Sequence, residues 1–462
     1  MVTKLTRRTL LASTAVAGAG LLLPGTASAA SRGVVSTAPF WDRIVILIEL
    51  DGGNDGLNTV VPFNVSDYID RRPTLKYAAS ELAATMIGTG PYVTHKAGVS
   101  ATQNFALNPA MTHLMKAWNP ATPDTHDLAV VLGVGYANPN LSHFRSMDIW
   151  NGASYPTQFP IDCWLGRLFA QPAVATTTPA SLTAHGVLLS RYSSNPLKKD
   201  GVRFLAMSKP KDFIDRSYEL RDTPGSASSP HFQYFLKTQH EVYQAAGKFR
   251  DALLTPKVAS PDPTKSGDWN YTPPTFAASP DITFNVKSDF EMRCKSIAEM
   301  ISTNANINRL QVPVYKVQIG GFDNHSGQKV KQEDLLAQVS SAMTSLRGAL
   351  KQIPGLWERT LIMTYSEFGR RVEENGSQGT DHGTANCHFL MGGGVKGGIY
   401  GQQPGLYNGS PGTKDLDGIG NLVYTVDFRR LYSTVAQWLG LPIDSYLTAG
   451  TGEDFSPIPC LW

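Results

Sequence analysis

The chain has 462 residues, 41 lysines and arginines against 38 acids, and a formal charge of +3. Lys4, Arg7 and Arg8 precede Ala29 with no acid among them, so the chain beyond residue 29 is formally neutral, 38 basic against 38 acidic groups. That balance offers no clustered basic surface for nucleic acid, and no nucleic-acid partner is expected.

Residues 1–29 read as an address. Arg7-Arg8 stands before an apolar run ending at Leu23, and Ala27-Ser28-Ala29 offers a small-residue cleavage site. The paired arginines point to the twin-arginine route, which places the protein in the periplasm, at the cell surface or outside the cell. The run is shorter than the ~20 residues of a membrane span, and no later stretch is long enough, so a soluble exported protein is expected. Cys163, Cys294, Cys387 and Cys460 are scattered without zinc-finger or C-x-x-C spacing; one or two disulfides are open outside the cytosol.

A linker at 30–42 leads to Arg43–Leu50, a largely apolar run rich in β-branched residues that predicts a strand buried on both faces. It ends in Asp51-Gly-Gly-Asn-Asp55-Gly, where Asp51 and Asp55 are candidate metal ligands and an ordinary Asx turn is the plain alternative. Residues 64–126 show no clear pattern; Arg71-Arg72 either face an anion or are solvated. A second strand, 127–135, leads to a helix over 140–152 with Asn140 as its cap and Phe144, Met147 and Trp150 on its inner face. Ser142 falls in the first turn, where free N–H groups favour an anion and a deprotonated hydroxyl; a plain helix cap is the alternative that local sequence favours. His143 and Arg145 are candidates to hold that anion.

The stretch from about 170 to 285 is rich in proline, serine and threonine and reads as a loop-rich cap inserted over the sheet, with helices at 231–254 and 288–309. Strand signals return at 312–321, followed by Asp323 and His325. A helix over 328–353 leads to a strand at 359–369 carrying Glu367. Asp381-His382 follow a short loop, then come an apolar run, 387–394, and a last helix, 427–439. No internal repeat appears. The alternation predicts a doubly wound α/β fold with a mostly parallel sheet, helices on both faces and loop-rich insertions, in a single domain over 43–462. Acids and imidazoles past four strand ends suit one or two divalent cations (zinc, magnesium, manganese or calcium), since such acids would repel one another without one.

Six segments taken together carry a resemblance. Gly-Gly-Asn54-Asp55-Gly-Leu, Leu-Ser142-His143-Phe-Arg-Ser-Met, Gly-Gly-Phe-Asp323-Asn-His325, Ser-Glu367-Phe-Gly-Arg370-Arg371, Thr-Asp381-His382-Gly and the paired-arginine leader resemble an exported bacterial family of unassigned function (domain of unknown function, family 1501). That family is placed with the alkaline phosphatases and sulfatases. The resemblance implies that Asp51, Asp323, His325 and His382 are metal ligands and that Ser142 is a nucleophile. Glu367-Phe368 stands where the wider group carries Asp-His or Asp-Asn, which removes a nitrogen ligand. No C-x-P-x-R is present, so a formylglycine nucleophile is not available. The reading is an exported hydrolase of phosphate or sulfate esters, acting on an anionic small molecule or polymer. The alternative is a secreted binding protein that keeps the fold and one metal.

Overall fold

Unbroken apolar runs pair side by side in the computed structural model, which describes residues 41–119, 126–190, 194–221, 229–305, 310–410, 415–448 and 453–462. The leader, nearly all of the linker and most of the 223–230 loop lie outside these. In chain order the main strands are β1 (Ile44–Asp51), β2 (Leu128–Gly135), β3 (Gly186–Leu189), β4 (Phe204–Met207), β5 (Val314–Gly320), β6 (Thr360–Tyr365), β7 (Asn386–Gly392), β8 (Gly398–Gly401) and β9 (Val426–Asp427). Among the described residues they form one sheet in the order β8-β2-β7-β6-β1-β5-β3-β4, with β9 paired to β2. Every pairing is parallel except those of β7, which runs antiparallel to both β6 and β2.

The central strand shows why an unbroken apolar run is needed. Ile44, Ile46, Ile48 and Leu50 enter the core on one face of the sheet, while Val45 and Leu47 enter the core on the other. The first face is covered by α2 (Pro230–Leu253), α3 (Asp289–Ala305) and α4 (Gln328–Lys351), the last through Leu336, Val339, Met343, Leu346 and Leu350. The second face is covered by α1 (His143–Gly152) and α5 (Arg429–Leu439). This is the α/β class expected, with helices on both faces.

Three local expectations change. Ser142, not Asn140, is the N-cap of α1; the Asn140 side chain instead accepts from the Ser142 N–H at 2.9 Å. The inner face of α1 is Ser146, Ile149 and Trp150, while Phe144 points to solvent, 87% exposed. Met147 is only partly buried against the same core. The stretch 170–285 is not wholly an inserted cap, because β3 and β4 within it extend the main sheet in parallel. The patternless 64–126 region folds around a second sheet of Val60–Val61, Met86–Val93, Thr102–Leu107 and Gln403–Pro404. All four cysteines are free thiols. Among the described residues no helix is long and apolar enough to cross a membrane.

β7 buries His388 completely, edge-on to Trp150 at 5.6 Å, with no hydrogen-bond partner for either ring nitrogen among the described residues. Burial depresses this imidazole to about 3. His185 is lowered to about 4, by burial first and then by Arg203. The unfolded chain therefore binds protons before the folded one does. The stability due to these neutral histidines is complete above pH 6.5 and is lost as pH falls through the interval down to the depressed values. We expect His388→Leu to flatten the acid limb by about 1.4 kcal/mol per pH unit below 6.5. Urea unfolding from pH 7 to 4 checks this, and parallel curves for wild type and variant would refute it.

Candidate metal centre

The carboxyl ends of β6, β1 and β5 lie next to one another, and each passes directly into a site loop. The antiparallel β7 begins at the same rim, which is how His382 reaches it. Gly52 makes the first turn possible: its φ is +115°, and a Cβ there would stand 2.4 Å from the Asp323 backbone nitrogen. The loops after β1 and β5 can therefore touch.

His143, Asp323 and His382 each present a ligand atom, and the three atoms lie within 4.8 Å of one another. Glu367, fully buried at the end of β6, accepts from His143 Nδ1 at 2.7 Å and from the Gly52 N–H at 2.9 Å. A carboxylate can only accept, so Nδ1 carries the proton and the lone pair of a neutral imidazole sits on Nε2. That Nε2 is buried without a hydrogen-bond partner among the described residues, 3.4 Å from Asp323 Oδ2. His382 is fixed in the same sense, since Nδ1 donates to the Leu141 carbonyl at 2.7 Å and leaves Nε2 facing Asp323 Oδ1 at 3.1 Å. Two imidazole lone pairs and a carboxylate thus face a common point. A nitrogen and an oxygen 3.4 Å apart with no hydrogen bond suit an ion about 2 Å from each. The donor set, two imidazoles and one carboxylate each oriented from behind, fits a divalent metal with an open position.

Arg370 supplies the balancing charge. Its guanidinium is buried, donates to Gly53 O at 2.8 Å, Thr380 O at 2.9 Å and Gly52 O, and reaches Asp323 Oδ1 at 2.7 Å. One side chain therefore ties together the loops after β1 and β5 and the segment that carries His382. Burial raises the Asp323 carboxyl, but the hydrogen bond and charge of Arg370 oppose it, and the group is held at about 2. Asp51 goes the other way, pushed up to about 6 by burial and then by the charges of Glu367 and Glu49. His143 is raised, chiefly by its hydrogen bond to Glu367.

The residues expected at the site from sequence fall into several groups. Asp323 and His382 are in the cluster, and His325 flanks it, with Nε2 2.9 Å from Asp323 Oδ1 and 3.1 Å from His382 Nε2. Asp381 lies outside it, half exposed, 3.4 Å from His325 Nδ1. Glu367 stands behind it, and Asp51, partly buried, is not among the three clustered ligands. Asp55 is not a ligand: it is buried, caps Gly56–Thr59, and both carboxylate oxygens are taken by buried Arg72, at 2.5 and 3.0 Å. Arg72 is thus neither solvated nor facing a ligand. Arg145 is committed as well, to the carbonyls of Pro156 and Gln158 and, at 3.8 Å, to the face of Phe159. His143, expected to hold an anion, sits with the metal-type ligands instead. Arg370 was missed as a site residue; its one signal was its place three residues past Glu367.

Ser142 is exposed and makes no capping hydrogen bond from its side chain. Its two neighbours in sequence, Leu141 and His143, are both tied to the cluster. The hydroxyl therefore sits at the N-terminus of a ten-residue helix whose first side chain faces the ligand set.

Residues 303–455 match a protein family of unknown function (DUF1501). This segment carries Asp323, Glu367 and His382. No curated protein matches the chain. Among solved structures, the C-terminal periplasmic domain of EcEptC from Escherichia coli, in complex with Zn, is similar at 10% identity over 89% of this chain and 85% of that one, with a TM-score of 0.34. The lipoteichoic acid synthase LtaP from Listeria monocytogenes is similar at 8% identity over 90% and 74%, with a TM-score of 0.32. BT1596, a 2-O GAG sulfatase, aligns at 11% identity over 87% and 72%, with a TM-score of 0.26. Scores of this size leave the chemistry to be argued from this chain's own residues.

Proposed function

We propose that this chain, whose DUF1501 segment brings Asp323, Glu367 and His382 to one rim, is an exported hydrolase of phosphate or sulfate esters that uses one divalent metal and a serine nucleophile. The observation that carries the reading is the buried Nε2 of His143, without a hydrogen-bond partner among the described residues, facing Asp323 and His382 one residue from a serine at a helix N-terminus. A cation held by His143, Asp323 and His382 would polarise an ester oxygen and lower the pKa of a bound water or hydroxyl.

The chain's own residues do the rest. Glu367 and the Leu141 carbonyl hold the two imidazoles in the tautomers that present Nε2. Arg370 keeps Asp323 ionised and aimed at the cluster. Ser142 Oγ gives up its proton and attacks phosphorus or sulfur, the bond to the ester oxygen breaks, and that oxygen leaves as the alcohol after taking up a proton. Water then hydrolyses the seryl ester to release phosphate or sulfate and restore the Ser142 hydroxyl. The free N–H groups of the first turn of α1 steady the negative charge that builds on the non-bridging oxygens. His325, 2.9 Å from Asp323 and partly exposed, is placed to pass a proton to or from solvent. Arg370 already occupies the inner side of the Asp323 carboxylate, which favours one metal over two.

The test is release of nitrophenol from phosphate monoester, phosphate diester and sulfate ester substrates, beside elemental analysis of the same protein. Ser142→Ala is expected to cut turnover at least about 100-fold while leaving metal content and unfolding midpoint unchanged. Stoichiometric metal with no Ser142-dependent turnover on any ester would replace the enzyme by a metal-holding binding protein.

A further inference from the structure

A second feature lies on the flank of α1. A groove of about 900 Å³ runs between the outer strand β4 and helix α2, and its wall continues to Ile161 and Asp162. Those two residues end the loop whose Pro156 and Gln158 carbonyls hold Arg145 of α1. One short loop therefore joins the groove to the helix that presents Ser142.

The charges in the groove do not cancel. Asp162 is taken by Lys199 at 2.7 Å, and Glu241 lies 3.9 Å from Lys237. Arg203 and Lys248 have no acid partner among the described residues; they hang instead on consecutive carbonyls, Leu182 O and Ser181 O, each at 3.0 Å. Two cations brought together this way repel, and Lys248 is lowered by burial first and by Arg203 second. Lys198 adds a further exposed cation in the same wall, also without an acid partner among the described residues. With Asp200, the lining holds five cations against three acids, and such an excess in a concave surface favours an anionic ligand. Tyr234, 70% exposed, and Phe204, 39% exposed, offer ring faces beside them. Rings set among spaced cations suit a chain of sugar rings bearing oxyanions. An acidic peptide would use the cations and leave the ring faces idle.

We infer that this groove binds a polysaccharide chain carrying sulfate or phosphate ester groups, and so holds a polymeric substrate against the ester centre. The identity of the anion rests on the hydrolase reading; the groove itself does not. Binding is measured by titration calorimetry on the full Ser142→Ala chain, which cannot turn the polymer over. The probes are dextran sulfate, dextran phosphate, uncharged dextran and polyglutamate of matched charge. At least one charged dextran is expected to bind at least about tenfold more tightly than uncharged dextran and polyglutamate. Lys198→Glu/Lys248→Glu should weaken that binding about tenfold or more, the loss expected of two exposed ionic contacts. Lys116→Glu/Lys265→Glu, a matched charge change outside the groove, should leave it within about twofold, and both double variants should keep the parent unfolding midpoint. Which charged dextran binds better separates sulfate from phosphate. Polyglutamate binding as tightly as either charged dextran, or a folded Lys198→Glu/Lys248→Glu protein binding like its parent, overturns the inference. Groove-dependent binding without Ser142-dependent turnover in the nitrophenol assay removes the hydrolase reading alone.

Discussion

His382→Ala is expected to lose the bound divalent metal and ester hydrolysis together. In the proposed site this imidazole is one of only three protein ligands, and alanine leaves a carboxylate and one nitrogen facing a cation. Losing an outer-shell partner typically costs about 10–100-fold in metal affinity or activity, so losing a ligand should cost more. Glu367→Gln supplies the graded comparison. It keeps the shape but offers His143 Nδ1 a neutral acceptor in place of a carboxylate now 2.7 Å away, and a loss of about 10–100-fold is expected. Elemental analysis after dialysis and nitrophenol release on the same samples check both variants. A His382→Ala protein that holds metal as tightly as wild type would show that the cluster is not where the metal sits. His382 is only partly buried, so this variant is expected to stay folded, and the readout is chemical rather than a loss of structure.

Asp55→Ala should do the opposite, harming stability and sparing the metal. The Arg72 guanidinium is fully buried against a carboxylate that is 2% exposed, and it also donates to the Val372 and Arg371 carbonyls. Removing the carboxylate strands a buried positive charge, which costs about 3–5 kcal/mol. Gln328, which donates from Nε2 to Asp55 and accepts from Thr380 Oγ, loses an acceptor in the same step. Urea unfolding should show the loss, while metal per folded molecule stays at the wild-type value. A variant as stable as its parent but free of metal would return Asp55 to the ligand set. The contrast with His382→Ala separates a residue that holds the cation from one that holds the loop beneath it.

The two cases also mark how far the residue pattern reaches. In sequence, Asp55 and Asp323 look alike, acids just past a glycine-rich strand end. Their difference lies in what faces them. Arg72 neutralises Asp55 across 17 residues, with no local pattern to announce the pairing. Asp323 keeps one oxygen turned toward an imidazole with no hydrogen bond between them. His143 was legible as a site residue but not as a ligand, because its free nitrogen is chosen by Glu367, 224 residues away. Arg370 was missed for the same reason: its role is set by carbonyls of three loops that meet only in space.

What the amino-acid order determined by itself was the set of central strands and the places where the chain leaves them. A strand buried on both faces is apolar over most of its length, as Ile44–Ile48, Leu128–Val134 and Leu361–Met363 are, and glycines and acids at its end stand out against that background. Tertiary structure alone decided the direction of β7, the recruitment of β3 and β4 from a loop-rich stretch, and which charges are already paired. Each of these depends on partners far along the chain, and a local pattern records only a residue's own tendency to be buried, not the identity of the group buried against it.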